Sequence, residues 1–161
     1  MIKKICFDMD GTIADLYGVD NWLYKLENHI ETPYVECKPL VDMARLTELL
    51  IHCINIGIEI TVISWLAGGS NKEYDRKVRK AKLEWLDNHN FPYTEVHMVK
   101  YGTTKANTIR HTLAEGETAI LFDDNAKVRN GWHLGEAYPE TAIIETICEI
   151  LEKTIDKPTT I

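Results

Sequence analysis

Four short segments, KICFDM, IEITVI, EVHMV and TAILF, do most to limit what this chain can fold into. Each is rich in Ile, Val, Phe or Thr and runs into a polar or glycine-containing turn, the pattern of strands buried on both faces. Helical spacing fills the gaps. In NKEYDRKVRKAKLEWLDNHN, Tyr74, Val78, Ala81 and Trp85 recur on one face, with the charges assigned to the opposite, solvent face. PLVDMARLTELLIHCINIG starts at Pro39, carries Met43, Leu46, Leu50 and Cys53 on one side, and has Gly57 as its stop. KANTIRHTL predicts a shorter helix, and PETAIIETICEILEKTI a last one with Ile143, Ile147, Ile150 and Leu151 turned inward. Strands alternating with helices predict an α/β fold: a Rossmann-like, doubly wound, mostly parallel sheet flanked by helices. The stretch 16–38 follows neither period, and its aromatic residues predict a short flap or lid inserted after the first strand.

With 161 residues and 45% hydrophobic content, the chain is expected to build one core and one domain spanning 1–161. The formal net charge of -7 and the absence of a basic stripe argue against capture of a nucleic-acid duplex, while leaving single nucleotides open. Cys6, Cys37, Cys53 and Cys148 form no CxxC pair and sit in or beside apolar segments, as reduced core thiols do. No apolar run approaches the ~18 residues a membrane span needs, and charges fall within the first ten residues, so no membrane partner is expected and the reading is cytoplasmic. Nothing in the sequence speaks to oligomeric state.

The chemistry gathers at strand ends, where ligands of open α/β sheets bind. Asp8 and Asp10 follow the first strand; Asp123 and Asp124 follow the last of the four. Were those strands neighbours, two of these carboxylates ~4 Å apart would repel by about 4 kcal/mol at an effective dielectric of ~20, so the group requires a cation or a shared proton. Oxygen ligands alone point to Mg²⁺, which takes one or two carboxylates and a substrate phosphate. An aspartate so placed can attack phosphorus, and a second carboxyl two residues along can trade protons with the leaving oxygen and with water. Ser64 closes another strand, and a lysine is available from Lys105 at a helix start or from Lys100 at a strand end, Lys105 being better placed. Gly11 and Thr12 shape the turn after Asp10. Trp65, with Tyr17, Trp22 and Tyr24 from the flap, can wall the site and stack on a nucleobase, although core packing accounts equally well for such rings. Gly68, Gly69 and Ser70 precede a helix but lack the GxxxxGK[ST] pattern, and read as an ordinary capped loop. A DxD pair alone is as often a solvated turn.

Taken together, FDMDGT, the serine of ITVIS, a helix-opening lysine and ILFDDN resemble the four ordered motifs of the haloacid dehalogenase superfamily of Mg²⁺-dependent phosphohydrolases, from Ile5 to Asn125. The resemblance implies Asp8 as nucleophile and metal ligand, Asp10 as acid and base with its backbone carbonyl on the metal, and Ser64 and Lys105 on the phosphoryl group. It further implies Asp123 in the metal shell, Asp124 supporting it, and Thr12, Lys100 and Trp65 as further support. Members that act on carbon–halogen bonds lack the residue at Asp10, so its presence favours phosphate chemistry. The short insert is similar to that of small-lid, nucleotidase-like members, which implies a phosphomonoesterase with a small phosphorylated substrate such as a nucleoside monophosphate. Phosphotransfer to another hydroxyl, or a phospho-signalling or interaction module on the same fold, are the competing outcomes; receivers, however, place paired acids first and the acceptor Asp later.

Overall fold

A computed structural model describes residues 1–69 and 71–155. Five strands form a wholly parallel sheet in the order β3-β2-β1-β4-β5, with β1 Ile2–Phe7, β2 Glu59–Trp65, β3 Glu95–Val99, β4 Thr118–Phe122 and β5 Ala137–Tyr138. The architecture is α/β and Rossmann-like. Parallel strands require crossovers, and these are supplied by α3 (Met43–Asn55), α4 (Lys72–Asn88), α5 (Lys105–Ile109) and α6 (Ala126–Asn130), with α7 (Ile143–Ile155) after β5. Alternation along each strand divides the core. Ile5, Phe7, Ile60, Val62, Ile120 and Phe122 face the larger cluster, which holds Leu46, Leu50 and Cys53 of α3, Val78 and Trp85 of α4, and Ile143 and Ile147 of α7. Cys6, Ile63, Ala119 and Leu121 face the smaller one, closed by Ala106, Ile109 and Trp132. All four cysteines are unpaired thiols, three of them buried.

Local chemistry fixes the helix ends. Asp42 caps α3 by accepting from the Arg45 amide at 3.1 Å, so the helix begins at Met43, four residues after the expected Pro39, which instead bridges to Ala14. Asn71 caps α4 by accepting from the Tyr74 amide at 2.9 Å, and Gly57, at φ +88°, ends α3 as its position predicts. The fifth strand, only two residues long, has no signature in the sequence. Ser70 lies outside the described residues. No helix among those described is long and apolar enough to cross a membrane.

The segment 16–38 is helical in three short pieces: a 3₁₀ turn at Leu16–Gly18, α1 (Trp22–Glu27) and α2 (Pro33–Glu36). Its anchor is Trp85 of α4, fully buried, whose indole N–H donates to the Cys37 carbonyl at 2.8 Å. Trp85→Ala is expected to cost about 3–5 kcal/mol through the cavity it leaves, and Trp85→Phe about 1–3 kcal/mol through the unpaired carbonyl. Urea denaturation of both variants checks the order; equal costs would mean that the cavity adds nothing beyond the indole hydrogen bond lost in both.

Candidate active site

The order β2-β1-β4 brings the ends of β1 and β4 side by side, and the Asp8 amide continues the ladder by donating to the Phe122 carbonyl at 2.9 Å. Asp8, Asp123 and Asp124 each offer an oxygen within 4.8 Å of the others, with Asp8 and Asp123 buried. Such a set can bind a metal ion, and its all-oxygen chemistry suits a hard divalent cation. The Asp10 carboxylate is not in this group. It turns to Lys82, 2.6 Å away, leaving only its backbone carbonyl for the ligand role that the resemblance implies.

Two buried lysines hold the acids. Lys105, opening α5, reaches Asp8 Oδ1 and Asp123 Oδ2, both at 2.6 Å, and its ammonium lies 5.4 Å from the Trp65 ring centroid. Burial disfavours the Lys105 charge, but Asp8 and Asp123 outweigh it and raise the pKa. Lys82, fully buried, donates to Asp10 Oδ2 at 2.6 Å, Ser64 Oγ at 2.8 Å and the Trp65 carbonyl at 2.7 Å, so all three of its N–H bonds are used. The Tyr34 ring packs 4.9 Å from this ammonium. Lys100 is exposed at the end of β3.

Lys82 corrects the sequence reading of α4, which assigned its charges to the solvent face. Its position carried a signal: four residues after Val78 and three before Trp85, it falls on the apolar stripe. A lysine there has to find buried partners.

The loops around the acids are tied to one another. Thr12 Oγ1 accepts from the Asp124 amide at 3.0 Å and lies 3.5 Å from Asp8 Oδ2. Arg129 donates to the carbonyls of Asp123 and Asp124 at 2.7 and 2.8 Å. Gly11 has φ +78°, and a Cβ there would sit 2.6 Å from both Asp124 Oδ2 and the Tyr17 ring, so only glycine fits. The site opens into a cavity of about 410 Å³ walled on one side by Tyr17, Trp22, Leu23, Leu26 and Tyr34, and on the other by Trp65 and Tyr101. Tyr24 is exposed and is not part of that wall, and Ser64, fully buried, also stands back from it.

Charge bookkeeping leaves the site short of positive charge. Among the described residues, and with all four acids ionised, Asp8, Asp10, Asp123 and Asp124 face two ammonium groups, leaving two negative charges, a deficit that one divalent ion fills. Burial, then Asp8 and Asp123, push Asp124 up to about 6. Burial and Asp8 likewise raise Asp123 against the pull of Lys105.

No family model and no curated protein matches this chain. Among solved structures, a chain from the structure of the Pnkp1/Rnl/Hen1 RNA repair complex is similar in fold, with a TM-score of 0.55 at 18% identity, covering 86% of this chain and 42% of that one. A chain from a structure of the Pnkp1/Rnl/Hen1 complex gives the same TM-score and identity, with 86% and 45% covered. This chain thus spans less than half the length of either.

A carboxyl with a raised pKa holds its proton below about pH 6 and then cannot serve as an anionic ligand. Affinity for Mg²⁺ or Mn²⁺ is therefore expected to rise as pH climbs toward about 6 and to level off above it, with proton release on binding in the lower range. Calorimetric titration in two buffers of different ionisation enthalpy reads both effects. A flat profile over roughly pH 5 to 7 would contradict the assignment of Asp124.

Proposed function

We propose that the protein is a Mg²⁺-dependent phosphomonoesterase of the haloacid dehalogenase type, with the helical segment 16–38 as a minimal cap. The observation that carries this reading is the pairing of Asp8 and Asp123 through Lys105, with Asp124 alongside, at the floor of an open cavity on the C-terminal edge of a parallel sheet. In such a site the nucleophile, the ion and the phosphoryl group lie within one charge-balanced cluster.

Lys105 ties one oxygen of Asp8, and among the described residues the other makes only the long contact with Thr12. That second oxygen attacks phosphorus in line, the bond to the leaving oxygen breaks, and Asp10 gives the leaving oxygen its proton. Burial holds the Asp10 carboxyl above the ordinary range, against the pull of Lys82, which favours a group that has a proton to give. Asp10 then removes a proton from water. The resulting hydroxide attacks phosphorus and breaks the Asp8–phosphorus bond, releasing phosphate and restoring Asp8. Mg²⁺ held by Asp8, Asp123, Asp124 and the Asp10 carbonyl would supply the positive charge that lets an anionic ester approach. Lys82 fixes the direction of Asp10, and Ser64 contributes through its hydrogen bond to Lys82.

A nucleotide-like leaving group fits the aromatic walls, since base–aromatic stacking contributes about 1–3 kcal/mol per base. The occurrence of similar folds in an RNA repair complex supports the same substrate class. A screen over nucleotides and sugar phosphates, with Mg²⁺ and with chelator, tests the proposal. Asp8→Asn and Asp10→Asn are each expected to lose about a thousandfold or more in turnover; Asp8→Asn unfolds at no lower temperature, because Lys105 keeps Asp123 and repulsion falls, whereas Asp10→Asn unfolds earlier because buried Lys82 loses its carboxylate. Wild-type turnover by Asp8→Asn, or turnover unaffected by chelator, would refute it.

A further inference from the structure

A second cavity of about 390 Å³ adjoins the first and shares with it Trp65, Tyr101, Lys105, Asn125 and Val128. The two differ in charge. Among the described residues, the first is lined by Asp8, Asp10, Glu27, Asp123 and Asp124 against a single lysine, whereas the second is lined by Lys105 and Lys127 and by no carboxylate. Lys105 is already bound to Asp8 and Asp123, so among the described residues Lys127, which is exposed, is the cation left to meet an incoming group there. Two rings stand at the junction. The Trp65 indole is fixed by its N–H donating to the Thr103 carbonyl at 2.8 Å, and the Tyr101 ring leans on it at 5.0 Å and 55°. Tyr101 is 61% exposed. A lone exposed tyrosine is ordinary, but one braced against an immobile indole between two cavities presents a rigid face for stacking.

We propose that the second cavity holds the part of the substrate beyond the scissile phosphate, and that this part carries an aromatic ring and a second phosphate. That is the chemistry of a nucleoside bisphosphate, or of the phosphorylated end nucleotide of a strand. The proposal rests on the phosphomonoesterase reading and refines it. An anionic arm directed under the cap would meet Glu27 and the acidic floor, while the same arm directed past Trp65 meets lysine and the neutral polar groups of Thr103 and Thr104.

The test is kcat/KM with Mg²⁺ for p-nitrophenyl phosphate, adenosine 5′-monophosphate, adenosine 3′,5′-bisphosphate and a 5′-phosphorylated dinucleotide. The wild type is expected to favour a doubly anionic nucleotide over the monophosphate by about threefold to fivefold, and whichever of the two is favoured more strongly identifies the source. Lys127→Ala is expected to bring that ratio to about one, while Tyr101→Ala lowers both nucleotides about tenfold relative to p-nitrophenyl phosphate. Turnover of p-nitrophenyl phosphate without preference for the second phosphate, or a preference that survives Lys127→Ala, would overturn the second-cavity proposal and leave the phosphatase reading intact. Absence of turnover on all four compounds would overturn both.

Discussion

Like charges gathered at one edge of a sheet repel, and everything distinctive about this molecule follows from how that repulsion is contained. Two ammonium groups are driven into the interior to contain it. Lys105 joins the acids at the ends of β1 and β4, and Lys82 ties Asp10 to β2 through Ser64 and the Trp65 carbonyl. Each lysine has lost its water, and each is held by acceptors at hydrogen-bond distance, the condition under which buried charges persist. Removing one partner would leave the other uncompensated, so these contacts specify the site as well as stabilise it.

The compensation is incomplete, and the shortfall is informative. Four carboxylates outnumber two lysines, and at Asp124 burial, with the nearby charges of Asp8 and Asp123 added to it, raises the pKa. A site designed only for stability would have neutralised or omitted the extra acids. Here they are kept at the floor of an open cavity, beside a loop whose glycine leaves no space for a side chain and whose backbone is gripped by Thr12 and Arg129. Such rigidity matters for catalysis because preorganised charge needs no rearrangement when the reaction occurs.

Much of this was legible in the sequence, for identifiable reasons. Strands buried on both faces leave near-continuous apolar runs, and the carboxylates lay directly after them, so the sheet and Asp8, Asp10, Asp123 and Asp124 could be located before any coordinates. Lys105 stood at a helix start, where its reach could be judged. Lys82 was missed because a lysine in a charged helix reads as solvated, although its place between Val78 and Trp85 on the apolar stripe marked it. The start of α3 was misplaced because Pro39 is a familiar helix opener, whereas the cap is made by Asp42. Short helices in 16–38 and the two-residue β5 carry too few residues for any period to register. The second cavity could not be read at all, since it exists only where loops from three strands meet.

The central claim is that a divalent ion belongs among Asp8, Asp123 and Asp124. Diffraction from crystals soaked in Mn²⁺, collected at the metal's absorption edge, locates such an ion directly. One anomalous peak at about 2.1 Å from an oxygen of each of these three carboxylates is the expected result. A peak bound elsewhere on the chain, or none at saturating Mn²⁺ above pH 6, would contradict the account.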